Sequence, residues 1–320
     1  MTITIADLFL ILPVLVLTGT AVLAMSAVAV GRNYPVTAFI TVAGLLLAAL
    51  SAVTLMPGTN QQVTPLLIVD PYSLFFTAVI CLSAMFIAVL SYPYLEGLDD
   101  DREEYFLLLG VATVGAVVLV SSNHFVSALL GLETLSMSLY GMVAYTVHSQ
   151  KADKYPLEAS VKYLVLSAAA SGFLLFGMAL IYGQTGTLAF ASLTDLSESS
   201  LGNGFSVVGL LLITAGLAFK LSLAPFHMWT PDVYEGAPMP ATTYLATIGK
   251  AAVFVVLLRF VEISDALNLT GTLAVLSLLA ILSILAGNLL ALLQQNVKRL
   301  LAYSSIAHMG YLLIAVVASY

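Results

Sequence analysis

The sequence predicts an all-α polytopic membrane protein with about ten transmembrane helices. Three observations carry that prediction. Of 320 residues, 61% are hydrophobic and only 8% are charged, against roughly 25% charged in a soluble domain. The mean hydropathy is +1.06. The apolar residues fall in long runs, each close to the roughly 20 residues that cross a bilayer. A surface this poor in charge needs lipid as its solvent, so the bilayer is the first partner. The net charge of −7 argues against nucleic acid, which selects a basic face.

The first run, residues 7–30, has no Lys or Arg before it and does not read as a cleaved secretory signal. Runs at 35–56 and 72–94 complete an N-terminal three-helix segment, 1–100. The single cysteine, Cys81, lies in the third run. One thiol makes no internal disulfide, iron–sulfur ligand set or structural zinc site. Any redox chemistry therefore belongs to partner chains. The fourth run, 104–121, begins in the acidic stretch Asp99–Glu104, which reads as a solvated cytoplasmic turn.

The fifth run, 123–146, carries Glu133 near its middle, with Ser136 and Tyr140 at helical spacing on the same face. Gly131 and Gly141 allow close helix approach. An ionised group at the bilayer centre costs roughly 2.5–3.5 kcal/mol, so such residues face the bundle interior and mark ion or proton paths. The alternative for Glu133 is a neutral carboxyl donating one buried hydrogen bond.

The sixth run, 158–183, opens with Glu158 and Lys162 at the favourable i,i+4 order. Near an interface, Lys162 also suits a snorkelling anchor. The seventh, 205–224, carries Lys220 five residues before Pro225. Proline removes a backbone donor and clashes with the carbonyl four residues back, that of Leu221. The helix should break there, leaving Lys220 one turn from freed polar groups in a buried or wet setting. Otherwise the span ends at Ala224 and Lys220 snorkels outward.

The eighth run, 240–262, carries Lys250 mid-span, with Thr247 and Thr243 as a polar stripe before it. A fixed ion pair is the bland reading, a proton-exchanging amine the sharp one. The ninth run is 268–291. The tenth, 297–320, holds His308 with Ser304 and Tyr311 on one face. That histidine is either a satisfied core side chain or a relay. His124 and His148 look interfacial. The longest connections are Pro57–Pro71, Gln184–Gly204 and Pro225–Met239.

Alternate connections place Arg32, Arg102, Lys151, Lys154, Lys298 and Arg299 on one side and only Arg259 on the other. The positive-inside rule then puts the N-terminus outside the cytoplasm. One Glu and two Lys in three spans, Glu133, Lys220 and Lys250, suggest mutual pairing. Coupled titration within such a set is the physical basis for passing a proton along it. No nucleophile triad, metal-ligand spacing or phosphate loop is present.

The run Phe219-Lys220-Leu221-Ser222-Leu223-Ala224-Pro225-Phe226-His227-Met228-Trp229-Thr230-Pro231-Asp232-Val233-Tyr234-Glu235-Gly236-Ala237-Pro238 resembles the signature of the antiporter-like membrane subunits of respiratory complex I. Its last eight residues are closest to subunit N of NADH-quinone oxidoreductase. Gly131–Ser136 and Asn296–Ile306 fit the same family, and the resemblance spans essentially the whole chain.

The resemblance implies two inverted five-helix repeats, each with a broken helix. The first would cover 104–262, with its break at Pro225, and the second would start at 268–320. It implies proton-transfer roles for Glu133, Lys220, Lys250 and Lys162, with His308 and Glu158 as further relay candidates. The family's second broken helix and its lysine would lie beyond Tyr320, so the second repeat is expected to be incomplete, the chain being a fragment in preference to a truncated reading frame or an incomplete relative.

No cofactor is expected on this chain. NADH, FMN, iron–sulfur clusters and quinone would sit on other subunits of the complex. Other membrane subunits would flank it on both sides. A bacterial inner membrane, with the N-terminus periplasmic, is the implied location. The alternatives are a cation/proton antiporter or membrane-hydrogenase subunit of the same family, and a structural assembly subunit.

Overall fold

A computed structural model describes residues 5–57, 61–97, 102–147, 155–193, 204–264 and 271–319. His148, Lys151, Lys154 and the turn Asp99–Asp101 lie outside the described residues. Among the described residues, nine helices are long and apolar enough to cross a membrane, and Gly204–Lys220 is a shorter apolar one. The chain is an integral membrane protein. It divides into two compact units: Met1–Leu157 with Ala237–Val256, and Glu158–Gly236 with Leu257–Tyr320.

The first unit holds α1 (Ile5–Leu10), α2 (Leu12–Val30), α3 (Tyr34–Leu55), α4 (Pro71–Glu96), α5 (Glu103–Val120) and α6 (Phe125–Ala144). Its helix starts follow local chemistry. The Asn33 side chain accepts from the Val36 N–H before α3. Asp70 and Ser73 form a reciprocal capping box at α4, with Pro71 at a first-turn position where a missing N–H costs nothing. The α5–α6 crossing is set by glycines. A Cβ built on Gly131 would lie 2.7 Å from Leu119 N, and one on Gly115 would lie 2.5 Å from Leu135 N. The backbones meet with no room for a side chain between them.

The expected Pro57–Pro71 connection contains a short strand pair. Gln61–Gln62 (β1) pairs antiparallel with Ile68–Val69 (β2). The Ile68 N–H donates to Ser121 O at 2.9 Å, and the Ser127 hydroxyl donates to Leu66 O at 2.7 Å. The loop thus satisfies its backbone against the α5–α6 turn, as a chain segment at a bundle end must.

The second unit holds α7 (Pro156–Thr185), α8 (Gly204–Lys220), α9 (Trp229–Gly236), α12 (Thr272–Leu292) and α13 (Val297–Ala318). The chain between α9 and α12 forms α10 (Met239–Tyr244), a π-helical turn at Leu245–Gly249, and α11 (Lys250–Ser264). The seventh span was expected over 205–224, but α8 stops at Lys220. Pro225 accounts for this, because its ring would clash with the Leu221 carbonyl in a continued helix. The Pro225–Met239 stretch, expected as a plain connection, contains α9.

Gly287 and Gly310 pack α12 onto α13. A Cβ on Gly287 would meet Ala307 N at 2.6 Å, and one on Gly310 would meet Ala280 O at 2.9 Å.

Candidate functional site

Glu133 and Lys250 belong to the first unit. Lys220, Lys162, Glu158 and His308 belong to the second. Each set is built by its own local structure.

The break after α8 is organised around Lys220. The Leu221 and Ser222 N–H groups donate to Leu217 O and Phe219 O, closing the helix with a tight turn. Ser222 sits in the left-handed region, with φ 61°, which a non-glycine residue adopts at a cost of about 1 kcal/mol or more. Its Oγ accepts from the Thr230 hydroxyl at 2.7 Å, which holds it there. The Ala224 N–H, freed by the break, donates to Ser283 Oγ on α12 at 2.9 Å. The Trp229 indole N–H donates to Phe219 O at 3.0 Å, and its ring stacks on Phe219 and Tyr163. Broken backbone at membrane depth needs these partners.

Within this frame Lys220 is only 8% exposed. Its ammonium donates to the Ser167 hydroxyl of α7 at 2.6 Å. The snorkelling alternative is therefore wrong. A lysine head cannot reach an interface while its Nζ is buried against the next helix. Ser167 and Ser283 were missed in the sequence, since a lone serine in an apolar helix gives no signal. His227 lies buried on the same elbow. It stood in the quoted run, and the sequence assigned it no role.

Ser283→Ala would leave a buried N–H without its acceptor. That costs about 1–3 kcal/mol. The thermal-inactivation midpoint of the assembled protein should fall by several degrees. An unchanged midpoint would show that the elbow does not need this bond.

Lys162 lies at the other end of this arrangement, half-exposed near the start of α7. Its Nζ is 2.8 Å from Glu158 Oε1 and 2.9 Å from Asp232 Oδ2. The i,i+4 pair read in the sequence forms, and Asp232 of α9 joins it. Arg299 of α13 bridges Asp232 Oδ1 at 2.8 Å and Glu235 Oε2 at 2.9 Å. Asn296 donates to the other Glu235 oxygen at 2.8 Å. Burial works against the Asp232 charge, but the hydrogen bonds from Lys162 and Arg299 outweigh it and hold the carboxyl below its usual range. A lowered carboxyl pKa means the clamp is complete above the ordinary carboxylate value. It is lost only as pH falls through the lower folded value.

Lys250 is 1% exposed, one of the largest fully buried side chains described. The threonine stripe expected beside it is not there. Thr243 and Thr247 are exposed, and each hydroxyl donates to the carbonyl four residues back. The π-helical turn explains the difference. It inserts a residue, and at 3.6 residues per turn one residue rotates the following face by about 100°. Within the same unit the Tyr244 hydroxyl meets Thr113 at 3.0 Å. The turn packs near Leu139, six residues on from Glu133 along α6. Glu133 itself is half-buried, on the face that also carries buried Ser136.

His308 is exposed, contrary to both readings of it as an interior residue. The α13 face that packs on α12 is made by Tyr303, Ala307 and Gly310, leaving His308 on the outer side. Its ring lies 6.1 Å from that of Tyr311, whose hydroxyl accepts from Asn288. Glu158 is likewise exposed and paired with Lys162. Among the described residues no cluster of three His, Cys, Asp or Glu side chains could hold a metal ion.

A mainly helical membrane protein with a broken helix and buried lysines is what the resemblance to the antiporter-like membrane subunits implies. Residues 122–320, more than half of the chain, match the family described as NADH:quinone oxidoreductase/Mrp antiporter, transmembrane. The chain belongs to that family.

It is similar to a chain of respiratory complex I from Thermus thermophilus, with 36% identity and a TM-score of 0.79 over 95% of this chain and 64% of that one. A chain of the membrane-bound sulfane sulfur reductase, an archaeal respiratory membrane complex, matches with 27% identity and a TM-score of 0.80 over 98% and 64%. A chain of the Mrp complex from Dietzia sp. DQ12-45-1b shares the fold, with 23% identity and a TM-score of 0.83 over 97% and 59%. The chain thus spans about three-fifths of the length of the chains it matches.

Proposed function

We propose that this chain is a proton-translocating membrane subunit of an NADH-quinone oxidoreductase, of the subunit N kind. Glu133, Lys220, Lys162 and Lys250 carry protons in response to quinone reduction elsewhere in the complex. The observation that carries this reading is Lys220, buried at a helix break with its ammonium on a serine hydroxyl. A desolvated amine beside a hydroxyl partner can gain and lose a proton, which a surface lysine has no reason to do in step with a distant reaction. The run Pro231–Pro238 and the 36% identity to a complex I chain support this reading over an Mrp-type cation/proton antiporter. The cofactors would sit on other subunits, and membrane subunits would flank this one. The charge asymmetry of the loops supports a periplasmic N-terminus in a bacterial inner membrane.

Glu133→Ala and Lys220→Ala in the assembled complex test the reading. Both should lower proton pumping coupled to quinone reduction while normal amounts of complex assemble. Loss of assembly with unchanged pumping per complex would instead favour a purely structural subunit. Wild-type yields in both variants would remove the proposal.

A further inference from the structure

The charged network at the start of α7 does more than decorate a surface. Helix α9 is tied at two places. Its first residues hold the elbow: Trp229 donates to the carbonyl of Phe219, the residue before Lys220, and Thr230 donates to Ser222, the strained residue two after it. Its middle is held by Asp232, whose two oxygens accept from Lys162 of α7 and Arg299 of α13. The same α7 presents Ser167, the acceptor for Lys220, five residues beyond Lys162. One carboxylate therefore fixes a short helix against two long ones, and that short helix aims the buried lysine at its partner.

We propose that Asp232 is a positioning residue for Lys220: by bridging Lys162 and Arg299 it holds α9, and through Trp229 and Thr230 it holds the elbow that sets Lys220 on Ser167. The inference rests on the reading that Lys220 carries protons. Three acids (Glu158, Asp232, Glu235) and three bases (Lys162, Lys298, Arg299) meet here, because Lys298 also reaches the Glu235 carbonyl at 3.4 Å. Among the described residues, Asp232 alone touches both α7 and α13 cations. Removing its charge frees the pin while leaving the outer pairs Lys162–Glu158 and Arg299–Glu235 in place. Misplacing a reacting group by about 1 Å can cost about 100-fold in rate, so a slackened elbow should register in proton transfer before it registers in assembly.

The test uses the whole complex in proteoliposomes. Asp232→Asn keeps the shape and removes the charge. Proton translocation per assembled complex should fall by about five-fold or more, and Asp232→Glu, which restores the carboxylate, should recover at least half of the loss. A merely stabilising ion pair would lower the amount of complex and leave the rate per complex, and its ratio of protons to quinone reduced, untouched; that result overturns the proposal. Should Asp232→Asn fail to assemble, Thr230→Val decides: it deletes only the hydroxyl bond to Ser222. A lowered proton yield supports the pin and a native yield overturns it. Lys220→Ala runs in parallel. If it lowers the yield and the Asp232 and Thr230 variants do not, the positioning role fails alone; if Lys220→Ala has no effect, the functional reading itself fails.

Discussion

Lys250→Met is expected to cut proton transfer through the subunit by about 100-fold, the low end of what a positioned proton-transfer group contributes, while the complex assembles normally. The two halves of that expectation come from one fact. Lys250 is 1% exposed, directly after the π-helical turn that rotates it inward. Methionine has nearly the same length and fills the same space without a charge. A swap of similar volume keeps the buried site filled. Packing therefore survives and the exchangeable proton does not. The measurement is pumping per assembled complex, with assembly scored on a native gel. Loss of the complex would mean that the ammonium holds the bundle together; full pumping would mean that it does not lie on the path.

Gly131→Val should have the largest effect on the fold. The added Cβ alone would lie 2.7 Å from Leu119 N and 2.9 Å from Gly115 O. Both are backbone atoms and neither can rotate away, so α5 and α6 must separate. Overpacking of this kind costs about 1–3 kcal/mol or more, and membrane helices have little hydrophobic drive to compensate once their close contact is lost. Glu133 stands two residues further on the same helix and would move with it. The subunit should fail to accumulate in membranes. Normal accumulation with a native thermal midpoint would show that the crossing tolerates separation.

Much of the fold could be read from the residues because spans announce themselves by length and hydropathy, and the break near Lys220 by proline chemistry. What could not be read shares one cause. These helices are apolar on nearly every side, so periodicity does not say which face packs inward. The sequence alone suggests an interior His308 on that account, and the glycine and alanine face of α13 shows that it points out. The π-helical turn before Lys250 is likewise a product of packing and leaves no local signature; it undid the threonine stripe. The Asp232 clamp joins residues 70 and 67 positions apart, and a sequence gives no distance across such a gap. The Glu158–Lys162 pair, by contrast, needed only one helical turn to be visible.

Counting protons moved per quinone reduced, in vesicles carrying the complex with Lys220 and Lys250 both changed to methionine, weighs the account most directly. If buried ammonium groups of this chain carry protons, the ratio drops below that of the unaltered complex while electron transfer from NADH remains measurable. An identical ratio would mean that the protons travel elsewhere.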